Sequence, residues 1–211
     1  LGLLTARPEV GEDLTKLFNL LSGYASEPQY KAMLTSPVGV REGLTERIRR
    51  ETENKNAGKA ARIAFKLNSL VDERIIDELY LASKAGVEID ILVRGMCSLR
   101  PGVPGLSETI RVNSVLGRYL EHSRIFYFEN GGDPDVFIGS ADMMHRNLDR
   151  RVETLVRIAQ PNQIEQLRRI IDIGMSKEVD SWSLDNQGAW QRKSSLDPEN
   201  KYLDYQDQMM N

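Results

Sequence analysis

The chain has 211 residues, 40% apolar and 28% charged, an ordinary globular composition with enough material for one large domain or two small ones. A net charge of −3 argues against a dedicated nucleic-acid or anionic-membrane surface, though a local basic pocket remains open. The single cysteine, Cys97, excludes an internal disulfide and fits a reducing, cytoplasmic compartment, and no run approaches the ~18 apolar residues of a membrane span. No signal peptide is visible, and the opening on Leu1 within an apolar segment suggests a piece of a longer or processed protein.

In chain order, Leu14, Leu17, Phe18 and Leu21 recur at helical spacing, with Gly23 as a stop, and a charged helix follows in VREGLTERIRRETENKNAGK. The lead-in 1–59 is therefore expected to be helical, ahead of an α/β core over 60–178. Residues 61–67 alternate as a strand. The clearest helix has Asp72 as N-cap, an apolar stripe of Ile75, Ile76, Leu79 and Tyr80, and Gly86 as its left-handed stop. EIDILVRG is the next strand, which completes a parallel βαβ unit. Ligands collect beyond the carboxyl ends of such strands, where Lys66 with Asn68 closes one and Arg94 the other. Solvated strand ends are the alternative. The glycine-rich loop that follows adds Arg100 and Arg111 but is no Walker loop.

TIRVNSV is a further strand, and His122–Phe128, NGGDPD and VFIGSA make a β-hairpin that carries His122. RRVETLVRI is one more strand, and a helix with Ile164, Leu167, Ile170 and Ile171 on one face follows. From about Ser181 a polar chain is expected to run extended over the body, with 196–211 as a tail. On the hairpin His122 and Arg124 project together, Glu129 follows, and Gly139, Ser140 and Asp142 return beside them. This is an altered form of the phospholipase-D-like H-x-K-x4-D-x6-G-S-x-N pattern, with arginine for lysine, glutamate for aspartate and Asp142 for asparagine. An imidazole can carry a phosphoryl group or protonate a leaving oxygen, and neighbouring cations neutralise the charge that builds on the equatorial oxygens. His145 lacks such neighbours and is read as peripheral, and Cys97 as a structural thiol.

Three long strings, KLNSLVDERIIDELYLASKAGVEIDILVRGMCSLRPGVPG, SETIRVNSVLGRYLEHSRIFYFENGG and GSADMMHRNLDRRVE, resemble the C-terminal, second phospholipase-D-like domain of bacterial polyphosphate kinases. The resemblance runs from about residue 1 to about 195 and is densest over 61–158. It implies an α/β fold with a mixed sheet flanked by helices. It also implies an intact enzyme that moves the terminal phosphate of ATP reversibly onto polyphosphate through a phosphohistidine, with Mg²⁺. The phosphorylated histidine and the metal-associated arginines would precede Leu1, so that no metal ligand falls in this fragment and the fragment alone is expected to be inactive. Two nucleotide-binding positions match, Arg94 of LVRGM and His122 of LEHSR, the latter as acid or electrostatic partner of the missing nucleophile.

Lys66, Asn68, Arg100, Arg124 and Arg146 are added as phosphate-contacting candidates. The implied partners are ATP or ADP, inorganic polyphosphate, the upstream domains and further copies of the enzyme, with no nucleic acid. The implied location is the cytoplasm, with membrane association of the complex as an option. The competing readings are a phospholipase-D-type phosphodiesterase completed by dimerisation and a non-catalytic module that binds phosphate polymers.

Overall fold

In the computed structural model, residues 1–23 and 29–210 are described. The elements run α1 (Pro8–Leu21), β1 (Met33–Thr35), α2 (Val40–Asn56), β2 (Arg62–Leu67), α3 (Glu73–Lys84), β3 (Glu88–Val93), β4 (Ile110–Ser114), β5 (Ile125–Phe128) and β6 (Asp135–Gly139). They continue with α4 (His145–Asp149), β7 (Thr154–Ile158), α5 (Pro161–Met175), β8 (Trp182–Leu184), β9 (Trp190–Arg192), α6 (Lys193–Leu196) and α7 (Tyr205–Met210). The nine strands among the described residues join one mixed sheet in the order β1-β7-β6-β5-β2-β3-β4-β8-β9. β2, β3 and β4 are parallel, and the remaining pairings are antiparallel.

The central strands are buried on both faces, so β2 and β3 place apolar residues on each side and even bury Lys66 and Asp90. On one face Ile63, Phe65, Leu67, Ile89, Ile91 and Val93 pack with Val40, Leu44 and Ile48 of α2 and Ile75 and Leu79 of α3. Phe65 meets Phe126 and Phe128 edge-on at centroid distances of 5.0 and 5.5 Å. On the other face Ala64, Leu92, Ile125 and Tyr127 pack with Leu167, Ile171 and Met175 of α5 and Tyr205 of α7. Asp72 caps α3 by accepting from the Ile75 N–H at 3.1 Å, as its position before the apolar stripe predicts. Among the described residues, no helix is long and apolar enough to cross a membrane.

Four expectations are corrected. The lead-in is not purely helical: β1 pairs with β7 at the sheet's edge. Leu14, Phe18 and Leu21 of α1 are exposed, because the helix instead buries Val10, Asp13 and Leu17. The Asp13 carboxylate accepts from the N–H groups of Lys31 (2.8 Å) and Ala32 (2.7 Å), a tie that fixes which side of α1 faces inward. The region after Ser181 is not an extended strap, since β8 and β9 prolong the sheet beyond β4 and the tail ends in α7 with Tyr205 and Gln206 buried. Finally, β5 begins at Ile125, so His122 precedes the hairpin rather than lying on it. The ladder with β2 stops at the Lys66–Ile125 pair because the next N–H on β2's side, that of Asn68, is taken by the Asp142 carboxylate at 2.7 Å.

Candidate phosphate-binding site

The chain direction of β2, β3, β4 and β6 puts their carboxyl ends on one edge of the sheet, together with the start of β5. The segments leaving β2, β3 and β6 are laced together there. Leu70 bridges both Cys97 and Met143, its N–H donates to the Met96 carbonyl (2.8 Å), and the Val71 N–H donates to the Met143 carbonyl (2.8 Å). Gly139 ends β6 where the backbone of β7 comes so close that an added Cβ would lie 1.9 Å from the Thr154 carbonyl oxygen, which only glycine tolerates.

A cleft of about 430 Å³ opens at this edge, lined by Asn68, Arg94, His122, Arg124, Ser140, Asp142, Arg146 and Arg151 among others. Four arginines face two carboxylates, Asp142 and Glu153, so the cleft carries an excess of positive charge. Asp142 is its hub. One carboxylate accepts from the Asn68 N–H (2.7 Å), the Ser69 N–H (3.3 Å), the Asn68 amide and Arg124 Nη2 (2.9 Å). The Asn68 Oδ1 in turn accepts from Arg94 Nε at 2.7 Å, so a continuous relay Arg124–Asp142–Asn68–Arg94 holds two guanidinium groups on one wall. Among the described residues Arg94 and Arg146 have no carboxylate partner, and their charge is available to an anion.

His122 stands at the mouth, its Nδ1 3.2 Å from Arg124 Nη1, which also donates to the His122 carbonyl at 2.9 Å. A guanidinium can only donate, so Nδ1 must present its lone pair and the proton resides on Nε2, turned into a donor for an incoming oxygen. The Arg124 charge, with smaller contributions from partial burial and Arg94, pushes the imidazole below its ordinary pKa. His122 also borders a larger cavity of about 710 Å³ on the α5 side of the sheet, which Leu120, Tyr205 and Met209 help to line.

The other candidates divide. Lys66 lies behind the cleft rather than in it, only 3% exposed and paired with Glu121 at 2.9 Å. Burial pushes its ammonium below the ordinary lysine range, against the pull of Glu121. Arg100 does not line the cleft: it is exposed on the loop after β3, which is anchored by its N–H on the Tyr80 hydroxyl (2.9 Å). Arg111 is also elsewhere, bound to Asp90 at 2.8 Å. Glu129 sits at the far end of β5, roughly 13 Å of strand from Ile125 at ~3.3 Å per residue, where it accepts from the Tyr127 hydroxyl. It cannot serve as the acidic member of the site. His145 pairs with Asp149 at 2.9 Å on α4, and burial raises the Cys97 thiol to about 11, away from nucleophile chemistry.

Sequence reading missed Arg151 and Glu153, the latter accepting from Asn147 at 2.6 Å in the cleft floor. The basic run HRNLDRR was the available signal. Among the described residues, no group of three or more histidine, cysteine or acidic side chains could hold a metal ion.

Comparisons with known proteins agree with this architecture. A polyphosphate kinase from Streptomyces coelicolor is 54% identical over 195 residues, and one from Synechocystis is 50% identical over 199; these alignments cover 92% and 94% of the chain. They cover only 26% and 27% of those relatives, so the chain spans about a quarter of their length. The crystal structure of polyphosphate kinase from Porphyromonas gingivalis superposes with a TM-score of 0.90 at 36% identity, over 97% of this chain and 31% of that one. A phospholipase D family member, Nuc from Salmonella typhimurium, shares the fold with a TM-score of 0.51 at 16% identity, over 76% of this chain and 96% of that one. The family described as polyphosphate kinase C-terminal domain 2 matches residues 33–206, and the chain belongs to it.

Proposed function

We propose that this chain supplies the phosphate-holding half of a polyphosphate kinase active site, in which the terminal phosphate of ATP is passed reversibly to polyphosphate. The observation that carries this reading is the cleft itself: Arg94, Arg124 and Arg146 converge with the Nε2–H of His122 at the carboxyl ends of the strands. A phosphoryl group in transfer carries charge on three equatorial oxygens, and catalysis consists largely of positioning and neutralising that charge. Arg94, oriented by Asn68, and Arg146 supply the cations that have no carboxylate partner among the described residues, while Arg124 is held by Asp142 and polarises His122.

His122 enters the cycle neutral and donates a hydrogen bond. A docked phosphate dianion favours the imidazolium form, so its pKa rises and the residue becomes able to protonate a departing oxygen. The nucleophilic histidine is expected on another domain of the intact enzyme, so that the P–O bond of ATP breaks and the P–N bond forms outside this chain. The cleft's two carboxylates are engaged by Arg124, Asn68, Asn147 and Arg151, so they do not fit as Mg²⁺ ligands. Lys66 acts from behind, through Glu121 rather than by touching phosphate. ATP, ADP and polyphosphate are the proposed ligands, and the remaining domains of the enzyme the proposed partners.

Calorimetric titration of the chain with ATP and with tripolyphosphate tests the reading. Binding that is lost in Arg94→Ala and His122→Ala supports it, and binding unchanged in both variants overturns it. Acid-labile label on His122 after incubation with γ-labelled ATP and Mg²⁺ would also overturn it, because the chain would then carry its own nucleophile.

A further inference from the structure

The residues that carry His122 are held in an unusual way. From Val115 to Ser123 the connection between β4 and β5 makes no backbone–backbone hydrogen bond among the described residues, and Leu116, Tyr119 and Leu120 are exposed. Such a segment would ordinarily be mobile. At its end Arg124 holds the His122 carbonyl (2.9 Å), and its middle is tied down by a side chain from far along the sequence. Gln206 of α7, itself 7% exposed, accepts from the Tyr119 N–H through Oε1 (2.8 Å) and donates through Nε2 to the Tyr119 carbonyl (2.7 Å). The same Nε2 lies 2.7 Å from Glu121 Oε1, and the other oxygen of Glu121 holds Lys66. Gly117 leaves the space this carboxamide fills, since a Cβ there would lie 2.4 Å from it. α7 is seated in turn by Tyr205, 3% exposed, whose hydroxyl donates to the Ile170 carbonyl of α5 (3.2 Å).

We propose that Gln206 is a positioning residue: α7 clasps the 115–124 connection and thereby sets His122 against Arg124 at the mouth of the phosphate cleft. A carboxamide suits this task because it offers a donor and an acceptor together, matching both backbone groups of Tyr119. The inference rests on the reading of the cleft as a phosphate site only for its consequence in binding; the clasp itself is a statement about where His122 is held. The charges acting most strongly on His122 are those of Arg124, Arg94 and, from behind the cleft, Lys66, against Asp142; Arg146, Arg151 and Glu153 line the cleft with it, and Glu121 borders the neighbouring cavity.

Gln206→Met keeps the volume and removes all three hydrogen bonds, the two to Tyr119 and the one to Glu121. With just two histidines in the chain, ¹H–¹³C spectra follow His122 and His145 separately, and amide exchange reads Tyr119. The clasp predicts a protected Tyr119 amide in the native chain and about tenfold faster exchange in Gln206→Met. It also predicts a His122 midpoint that rises as the ring leaves Arg124, an unchanged His145 and about tenfold weaker tripolyphosphate binding. A His122 titration identical in the two proteins overturns the clasp. If Gln206→Met does not fold, the native chain decides: an unprotected Tyr119 amide overturns the clasp. Tripolyphosphate that binds neither protein would overturn the phosphate reading and leave the His122 midpoint to judge the clasp.

Discussion

Replacing Asp142 with alanine is the sharpest test of how the cleft is built. Its carboxylate is almost wholly buried, and Arg124 opposite is 12% exposed, so the pair cannot be rescued by bulk water. Alanine leaves the Asn68 N–H without its 2.7 Å acceptor and the Arg124 guanidinium without its counter-charge. Removing one member of a buried pair costs ~3–5 kcal/mol. For a chain of this size each kcal/mol lowers Tm by about 2–4 °C, so a loss of roughly 6–20 °C is expected. Asp142→Asn keeps an acceptor for the Asn68 N–H but loses the charge and the oxygen that accepts from Arg124 Nη2, so a smaller loss of about 1–3 kcal/mol, or roughly 2–12 °C, should follow. Differential scanning calorimetry of the three proteins measures this directly. An Asp142→Ala chain that melts within 2 °C of the parent, by ~1 kcal/mol or less, would refute the hub. So would an asparagine variant no more stable than alanine, because the retained acceptor for the Asn68 N–H would then contribute nothing.

Arg94→Ala should weaken tripolyphosphate binding by about 10–100-fold, the worth of one charge-assisted contact, while Arg100→Ala, outside the cleft, should leave it within twofold; calorimetry at fixed salt compares them. In the free chain His122 should titrate below an ordinary imidazole because of the Arg124 charge, and saturating tripolyphosphate should raise its midpoint. Since the bound form then holds more protons than the free form, affinity should increase as pH falls through that interval relative to His122→Gln, which lacks the proton. Gly139→Ala forces a methyl group against the Thr154 carbonyl and should destabilise by ~1–3 kcal/mol or more, seen as a thermal melt at least a few degrees lower.

The βαβ unit, the N-cap at Asp72 and the buried strands β2 and β3 were determined by the sequence itself. Helical and strand periodicity, a capping residue and a left-handed glycine are local signals that survive without knowledge of the partner surfaces. The same logic brought Asn68 and Arg94 to one edge, because parallel strands joined by a helix must end on the same side. Only tertiary structure decided the rest. Leu14, Phe18 and Leu21 have helical spacing, yet α1 faces inward on Asp13, a buried carboxylate with backbone partners distant in sequence. Arg100 and Arg111 share the cleft arginines' composition and differ only in where the loop and strand aim them, which no spacing rule encodes. Glu129 was placed by motif count and lost by geometry, since a strand carries each successive residue farther from the edge where His122 waits. The tie between Gln206 and the backbone of Tyr119 joins positions 87 residues apart. Local sequence carries periodicity, but a contact between distant segments exists only once the sheet has fixed both of them in space.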